Sequence, residues 1–171
     1  MTVDSQRSEI LSNAVTTMFG LGSSTQQNDG VIEDSTPWTA ASDGRLDLLQ
    51  RSLTKLGLPP TAADQNGYTI LHAAAAYWQQ PILEWLLQQD GIDVNVKDND
   101  GDTPLHHVDQ VEAARFLLEV AKVNPNVTNN EGKTALQSKE EDLAIQENDE
   151  DEDEDETERL KEVVAYLQSI I

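Results

Sequence analysis

The sequence predicts an all-α solenoid of about four helix–turn–helix repeats with short hairpin-like turns, and three observations favour this fold. The motif Gly-Xaa-Thr recurs at Gly67, Gly101 and Gly132, with spacings of 34 and 31 residues. Apolar residues follow with the helical period, as in Ile82, Leu83, Leu86 and Leu87. Neither helix of such a unit buries its apolar face alone, so the repeats must stack to form a core.

Each copy of the motif has a stereochemical reason for its residues. The Asp-Xaa-Xaa-Gly step beginning at Asp64 and at Asp98 predicts a tight turn in which glycine takes a positive φ. The threonine that follows caps a helix, and Pro104 stands in the first helical turn, where no N–H is required. Small alanines, Ala73–Ala76, allow this first helix to lie close to its neighbours.

The full pattern, Asp-Xaa-Xaa-Gly-Xaa-Thr-Pro-Leu-His-Xaa-Ala-Ala with a period near 33, resembles the ankyrin repeat. The resemblance covers about 80% of the chain. Among ankyrin proteins, the chain looks most like the small cytosolic or nuclear ones of fungi. It implies an ankyrin-repeat domain over residues 36–171. The expected repeats span about 36–63, 64–97, 98–128 and 129–171.

Two of the repeats depart from the pattern early in the motif. The first is similar to a truncated N-terminal cap, in which Trp38 takes the place of the motif histidine. In the third, Val108 and Asp109 replace the expected alanines, and the run to Phe116 is three residues short. Three residues are nearly one helical turn, so we expect a compressed first helix in this repeat.

The fourth repeat is predicted to be split by an acidic insertion. Its second helix resembles the segment from Leu160 to Ile171, where Ile170 and Ile171 continue the apolar stripe. Residues 140–158 hold 13 carboxylates and no Lys or Arg. Such a run is expected to be disordered over about 139–158, because self-repulsion and the lack of apolar residues leave the entropy of ordering unopposed. Residues 1–35, rich in polar residues, are also predicted to be disordered.

Composition excludes several classes of function. The formal net charge is −21, so nucleic acid and anionic lipid surfaces would be repelled, and a basic protein is the partner that the field favours. The absence of cysteine excludes disulfides and thiolate zinc sites. No 18-residue apolar run or secretory signal is present, which predicts a cytoplasmic or nuclear protein.

The histidines are predicted to be structural. The resemblance to the ankyrin repeat implies that His72 and His106 stand in the first helical turn and hydrogen-bond the neighbouring turn. A metal cluster of His106, His107, Asp109 and Asp100 is imaginable. A regular solenoid is not expected to bring those side chains together, so no metal and no cofactor are predicted.

Two loops imitate binding motifs. Asp98–Asp102 resembles part of a calcium loop, but the required ligand positions fall on Val96 and His107. Gly132–Thr134 imitates the end of a phosphate-binding loop, but Val127 stands where that loop needs glycine. Both segments are therefore interpreted as repeat turns.

The resemblance implies a protein-binding surface along the turn tips and inner helices. Carried over by position, the expected contact residues are Gln65, Asn66, Tyr68, Ala76, Tyr77, Trp78, Asn99, Asp100, Asp102, Asn130, Glu131 and Lys133. For Trp78, which stands where the family has glycine, two roles stay open. It is either an interface anchor or a shield for the shortened neighbouring repeat.

Two functions follow, neither of them catalytic. The first is a monomeric protein–protein interaction scaffold or adaptor. The alternative is an escort or chaperone for a basic client, such as a ribosomal protein or histone, in which the acidic loop screens the client's Lys and Arg.

Overall fold

A computed structural model describes residues 32–147 and 154–170. Within these ranges all regular structure is helical, which confirms the all-α prediction. The helices are α1 (Thr36–Ser42), α2 (Leu46–Leu56), α3 (Ile70–Ala76), α4 (Gln80–Leu86), α5 (Val111–Glu119), α6 (Ala135–Gln146) and α7 (Glu154–Ile170). The predicted disorder of residues 1–35 falls almost wholly outside the described residues, as does the part of the acidic insertion at 148–153.

The helices stack as a solenoid. Helix α1 contacts α2 and α3, helix α3 contacts α4 and α5, and helix α7 contacts α5 and α6. A single continuous core runs through the described repeats and reaches α7. Its largest fully buried apolar side chains are Leu49, Ile70, Ile82, Leu83, Leu86, Leu105, Val108, Leu117, Val163 and Leu167. None of the described helices combines the length and apolar character that crossing a bilayer demands.

Local signals place the helix ends as the motif predicts. Thr69 and Thr134 cap α3 and α6, each in a reciprocal capping box with the residue three positions later. A proline stands in the first turn of α1 and of α4. Helix α2 ends at Leu56, and the capping Gly57 that follows has a left-handed backbone and donates its N–H to the carbonyl of Leu53.

The turns between repeats are short hairpins. Antiparallel bridges join Ala63 to Thr69 and Thr128 to Thr134. In the turn that precedes α3, Asp64 Oδ1 accepts the backbone N–H groups of Asn66 at 2.8 Å and Tyr68 at 2.9 Å. Asp98 and Asn129 do the same in their own turns, so the hairpin-like turns of the prediction are confirmed.

The third repeat is more reduced than expected. In place of a compressed first helix, Pro104–His107 form a single turn, and the next helix is α5. The prediction of a helix here is therefore wrong, because the chain that remains between the turn and α5 holds only one turn. Leu105 and Val108 still reach the core from this turn, which keeps the repeat in register with its neighbours.

The disorder predicted for the acidic insertion is wrong for the part of it that the structure describes. Helix α6 runs to Gln146 and α7 begins at Glu154, so 139–146 and 154–158 are helical and not disordered. The capping box starts α6, and the acidic first turn of α7 interacts favourably with the positive end of its helix dipole. The prediction of a second helix at the C-terminal end is confirmed. Its apolar stripe ends at Leu167, since Ile170 is 45% exposed.

Candidate functional site

Three equivalent hydrogen bonds link successive repeats. Trp38 Nε1 donates to the Tyr68 carbonyl at 2.8 Å, and His72 Nε2 lies 3.1 Å from the Asp102 carbonyl. His106 Nε2 lies 3.2 Å from the Lys133 carbonyl. In every case the acceptor is the residue just before the next motif threonine. Trp38 therefore replaces the motif histidine in function as well as in position, and the structural role predicted for both histidines is confirmed.

Both ring nitrogens of His72 are in use. The Thr69 N–H donates to Nδ1 at 3.1 Å, so the hydrogen-bond network assigns the proton to Nε2, which donates to Asp102. Burial lowers the pKa of His72 to about 4, so the ring is neutral near pH 7. A buried neutral imidazole with two committed nitrogens offers no lone pair to a metal or a substrate.

A different histidine cluster from the one considered in the sequence does form. Ligand atoms of His72, Asp98 and His107 lie within 4.8 Å of one another. Asp98 Oδ2 is 2.9 Å from His107 Nε2, and its Oδ1 accepts the turn N–H groups. Because His72 lacks a free nitrogen, this arrangement does not fit a metal centre, and we interpret it as the packing of two adjacent repeats.

Asparagines link the tips of neighbouring turns by hydrogen bonds. The Asn99 N–H donates to the Asn66 carbonyl at 2.9 Å, and the Asn130 N–H donates to the Asp100 carbonyl at 2.9 Å. The amide side chains of Asn99 and Asn130 donate to the Gln65 and Asn99 carbonyls. We call the two backbone bonds, from Asn99 to Asn66 and from Asn130 to Asp100, the turn ladder. Of the predicted contact residues, Asn66, Asn99 and Asn130 therefore also hold the solenoid in register.

Most of the other predicted residues line one cavity of about 750 Å³, which we call the central cavity. It is lined from the second, third and fourth repeats. Eight of the twelve predicted contact residues line it: Tyr68, Ala76, Tyr77, Asp100, Asp102, Asn130, Glu131 and Lys133. Gln65, Asn66, Trp78 and Asn99 do not.

The sequence did not predict the remaining lining residues as contact residues, although three of them had been considered as metal ligands. They are His106, His107, Asp109, Asn129, Ser138, Lys139, Glu141 and Asp142. The last four stand on α6, and three of them lie inside the segment predicted to be disordered. A usable signal was present, since Thr134 with Gln137 three positions later is a helix-start pattern.

The cavity is strongly acidic. Its carboxylates are those of Asp100, Asp102, Asp109, Glu131, Glu141 and Asp142, and two lysines face them. Lys133 Nζ is 2.7 Å from Glu131 Oε2 and also contacts Glu141. Lys139 Nζ is 3.2 Å from Asp109 and 3.8 Å from Asp142. Six carboxylates against two shared lysines leave an excess of negative charge in the cavity.

Two tyrosines give the cavity its aromatic wall. Tyr68 stacks on His72 with ring centroids 5.2 Å apart, and burial raises its pKa to about 12. It is a fixed, neutral ring. Tyr77, at the end of α3, is 59% exposed and is therefore available to a partner.

Comparison with known families decides the identity of the repeats. A model of three ankyrin repeats matches residues 10–98, and a model of a single ankyrin repeat matches residues 100–130. The chain belongs to the ankyrin-repeat family. The first match begins inside the segment 1–35, whose disorder stays a prediction.

Relatives of this ankyrin-repeat chain include an ankyrin repeat-containing protein of Schizosaccharomyces pombe. It is 41% identical over 100 residues, which cover 58% of the chain and 47% of the relative. Mouse protein phosphatase 1 regulatory subunit 12A is 40% identical over 82 residues, 46% of the chain and 8% of that protein. Mouse NF-kappa-B inhibitor delta is 30% identical over 102 residues, 59% of the chain and 31% of that protein. The chain thus spans less than half the length of each of these relatives.

The departures from the ankyrin pattern have physical reasons in the structure. Asp109, which replaces a small alanine, pairs with Lys139, whose side chain is only 8% exposed. Trp78 replaces the expected glycine at a φ of 49°, and its ring packs edge-on against Phe116 at 5.8 Å. This contact favours the shielding role for Trp78, because Phe116 belongs to the shortened repeat.

The neutral state of His72 predicts an acid-sensitive fold. At pH values between the unfolded pKa of His72, about 6.5, and its folded pKa, about 4, the ring is protonated in the unfolded chain and neutral in the folded one. The free energy of unfolding should therefore fall as the pH drops through this window, by about 3 kcal/mol from His72. Urea denaturation at a series of pH values measures this loss.

The ankyrin-repeat chain supplies its own control for that measurement. In the fourth repeat Gln137 occupies the histidine position, and its Oε1 accepts the Thr134 N–H at 3.0 Å. The variant His72→Gln should keep the capping box and lose the part of the pH dependence between 6.5 and 4 that His72 contributes. His106, whose pKa burial also lowers, keeps its own contribution in both proteins. An unchanged pH profile in this variant would show that His72 is not the titrating group.

Proposed function

We propose that the chain is a non-catalytic scaffold or adaptor that holds a protein partner against the central cavity and the turn tips. Ankyrin repeats generally mediate protein–protein interaction. The observation that carries the proposal is the cavity itself, which draws on three repeats and has the exposed ring of Tyr77 at its edge. Tyrosines in such positions are frequent anchors of protein interfaces.

The chemistry of the described residues supports a binding role over a catalytic one. Two histidines are buried, His106 in the cavity lining and His72 against the lining residue Tyr68. Each uses both ring nitrogens in backbone or cap hydrogen bonds. General base catalysis needs a side chain free to reach a substrate proton. The names of two relatives, a regulatory subunit and an inhibitor, also describe proteins that act on other proteins.

Site-specific photo-crosslinking in cells tests the proposal. A photoreactive phenylalanine analogue replaces Tyr77 in the central cavity or, as the matched control, the exposed Glu112 on α5. We expect one protein to be crosslinked from position 77 and not from position 112. A partner crosslinked only from position 112 would place the binding surface elsewhere and contradict the proposal.

The escort of a basic client, such as a ribosomal protein or histone, is a second candidate. The net charge of −21 and the 13 carboxylates of residues 140–158 favour it. An escort of this kind would associate quickly and dissociate in salt. Because α6 and α7 extend into the acidic segment, the informative variant replaces only residues 148–153 with Gly and Ser. It should weaken client binding at low salt, and equal affinity would overturn the escort role.

A further inference from the structure

The central cavity exists because of a deletion in the third repeat. Where the second repeat has the whole of α3, the third has only the turn Pro104–His107. The space that remains is walled by Tyr77 at the end of α3 and by Ser138 and Asp142 on α6. This recess is a property of this chain and not of a regular repeat array.

The charge of the recess selects for a cation. Each lysine in it is already shared between two carboxylates, Lys133 between Glu131 and Glu141, and Lys139 between Asp109 and Asp142. Their side chains are 32% and 8% exposed, whereas those of the four carboxylates are all more than half exposed. The exposed groups that a partner meets are therefore mainly negative.

Two further features distinguish this recess from an ordinary acidic surface. Tyr77 presents an exposed ring beside the carboxylates. Ser138 lines the recess, and its buried Oγ has no hydrogen-bond partner among the described residues. A planar cation that stacks on a ring while donating several N–H groups would match this combination, and the guanidinium of arginine does both.

We propose that the central cavity binds an arginine side chain of the protein partner, stacked on Tyr77 and paired with the carboxylates of α6 and Asp109. The proposal rests on the proposed function, since it assumes a protein partner at this surface. The chain already contains the aromatic part of this arrangement, an arginine over a tyrosine ring. The guanidinium carbon of Arg115 lies 5.2 Å from the centre of the Tyr166 ring, and the Tyr166 hydroxyl donates to Glu119.

Calorimetric titration of the full chain with blocked tetra-arginine and tetra-lysine peptides tests the proposal at about physiological ionic strength, where distant charges are screened. Tetra-arginine should bind with the lower Kd. Tyr77→Ala should raise that Kd about threefold, as expected for loss of an exposed cation–π contact. Asp142→Asn should raise it by a similar factor, and the control Glu112→Gln should leave it unchanged.

The outcomes separate the alternatives. Equal Kd values for the two peptides, or an equal effect of Glu112→Gln and Asp142→Asn, would mean general charge attraction and overturn the proposal. Thermal unfolding of each variant checks that the fold is kept. A partner that crosslinks from position 77 but binds independently of its arginines would leave the proposed function standing and remove only this inference.

Discussion

Replacing Val163 with aspartate is expected to lower the free energy of unfolding by about 3–5 kcal/mol, enough to unfold much of the fourth repeat. Val163 is fully buried on α7, within the continuous core. The substitution removes apolar burial and leaves a carboxylate without a counter-charge in an apolar environment. Urea denaturation followed by circular dichroism measures the loss.

Ala165→Asp is the matched control for this substitution. Ala165 is exposed on the same helix, so the variant adds the same charge without burying it. We expect a change of at most about 1 kcal/mol, most of it from the lower helix propensity of aspartate. Equal losses from the two variants would show that α7 does not pack as the second helix of a split repeat.

Gly101→Ala is expected to cost about 3 kcal/mol or more, although it adds a single methyl group. Gly101 has a φ of +79°, and a Cβ built there would lie 2.7 Å from the backbone nitrogen of Asn130. The left-handed backbone alone costs an alanine roughly 1–2 kcal/mol. The clash adds to this, because the contacted atom belongs to the turn ladder and cannot move without breaking its hydrogen bond to Asp100.

Gly132→Ala separates the two contributions. Gly132 has almost the same φ, +78°, but a Cβ there would meet no atom within 4 Å. This variant should lose only the roughly 1–2 kcal/mol of backbone strain. Chemical denaturation of both variants therefore gives the cost of the clash as a difference. A similar loss for both would mean that the turn of the fourth repeat can move away from Gly101 freely.

The elements that sequence reasoning predicted correctly are those with local stereochemical causes. The Asp-Xaa-Xaa-Gly turns, the threonine caps and the helix-ending Gly57 depend on residues a few positions apart. The structural role of His72 was predictable for the same reason, since its capping partner Thr69 stands three residues away. Such features survive whatever surrounds them in the fold.

The central cavity was only partly predictable because it depends on distant pairs. Asp109 departs from the repeat pattern, and its ion-pair partner Lys139 lies 30 residues later, where the pattern of a single repeat does not point to it. Composition alone predicted disorder from residue 139 onward, inside α6, since it does not show that Thr134 starts a helix in which Ala135 and Lys139 are buried. The loss of a helix from that repeat then decides where the cavity lies.

The turn ladder also constrains how this molecule is able to change in length over evolution. The backbone bonds from Asn99 to Asn66 and from Asn130 to Asp100 fix each turn against the next. The interval between motif glycines nevertheless shortens from 34 to 31 residues. The shortening fell in the helical part of the third repeat, and the added residues of the fourth repeat separate α6 from α7. Both differences in length therefore lie outside the two backbone bonds of the turn ladder.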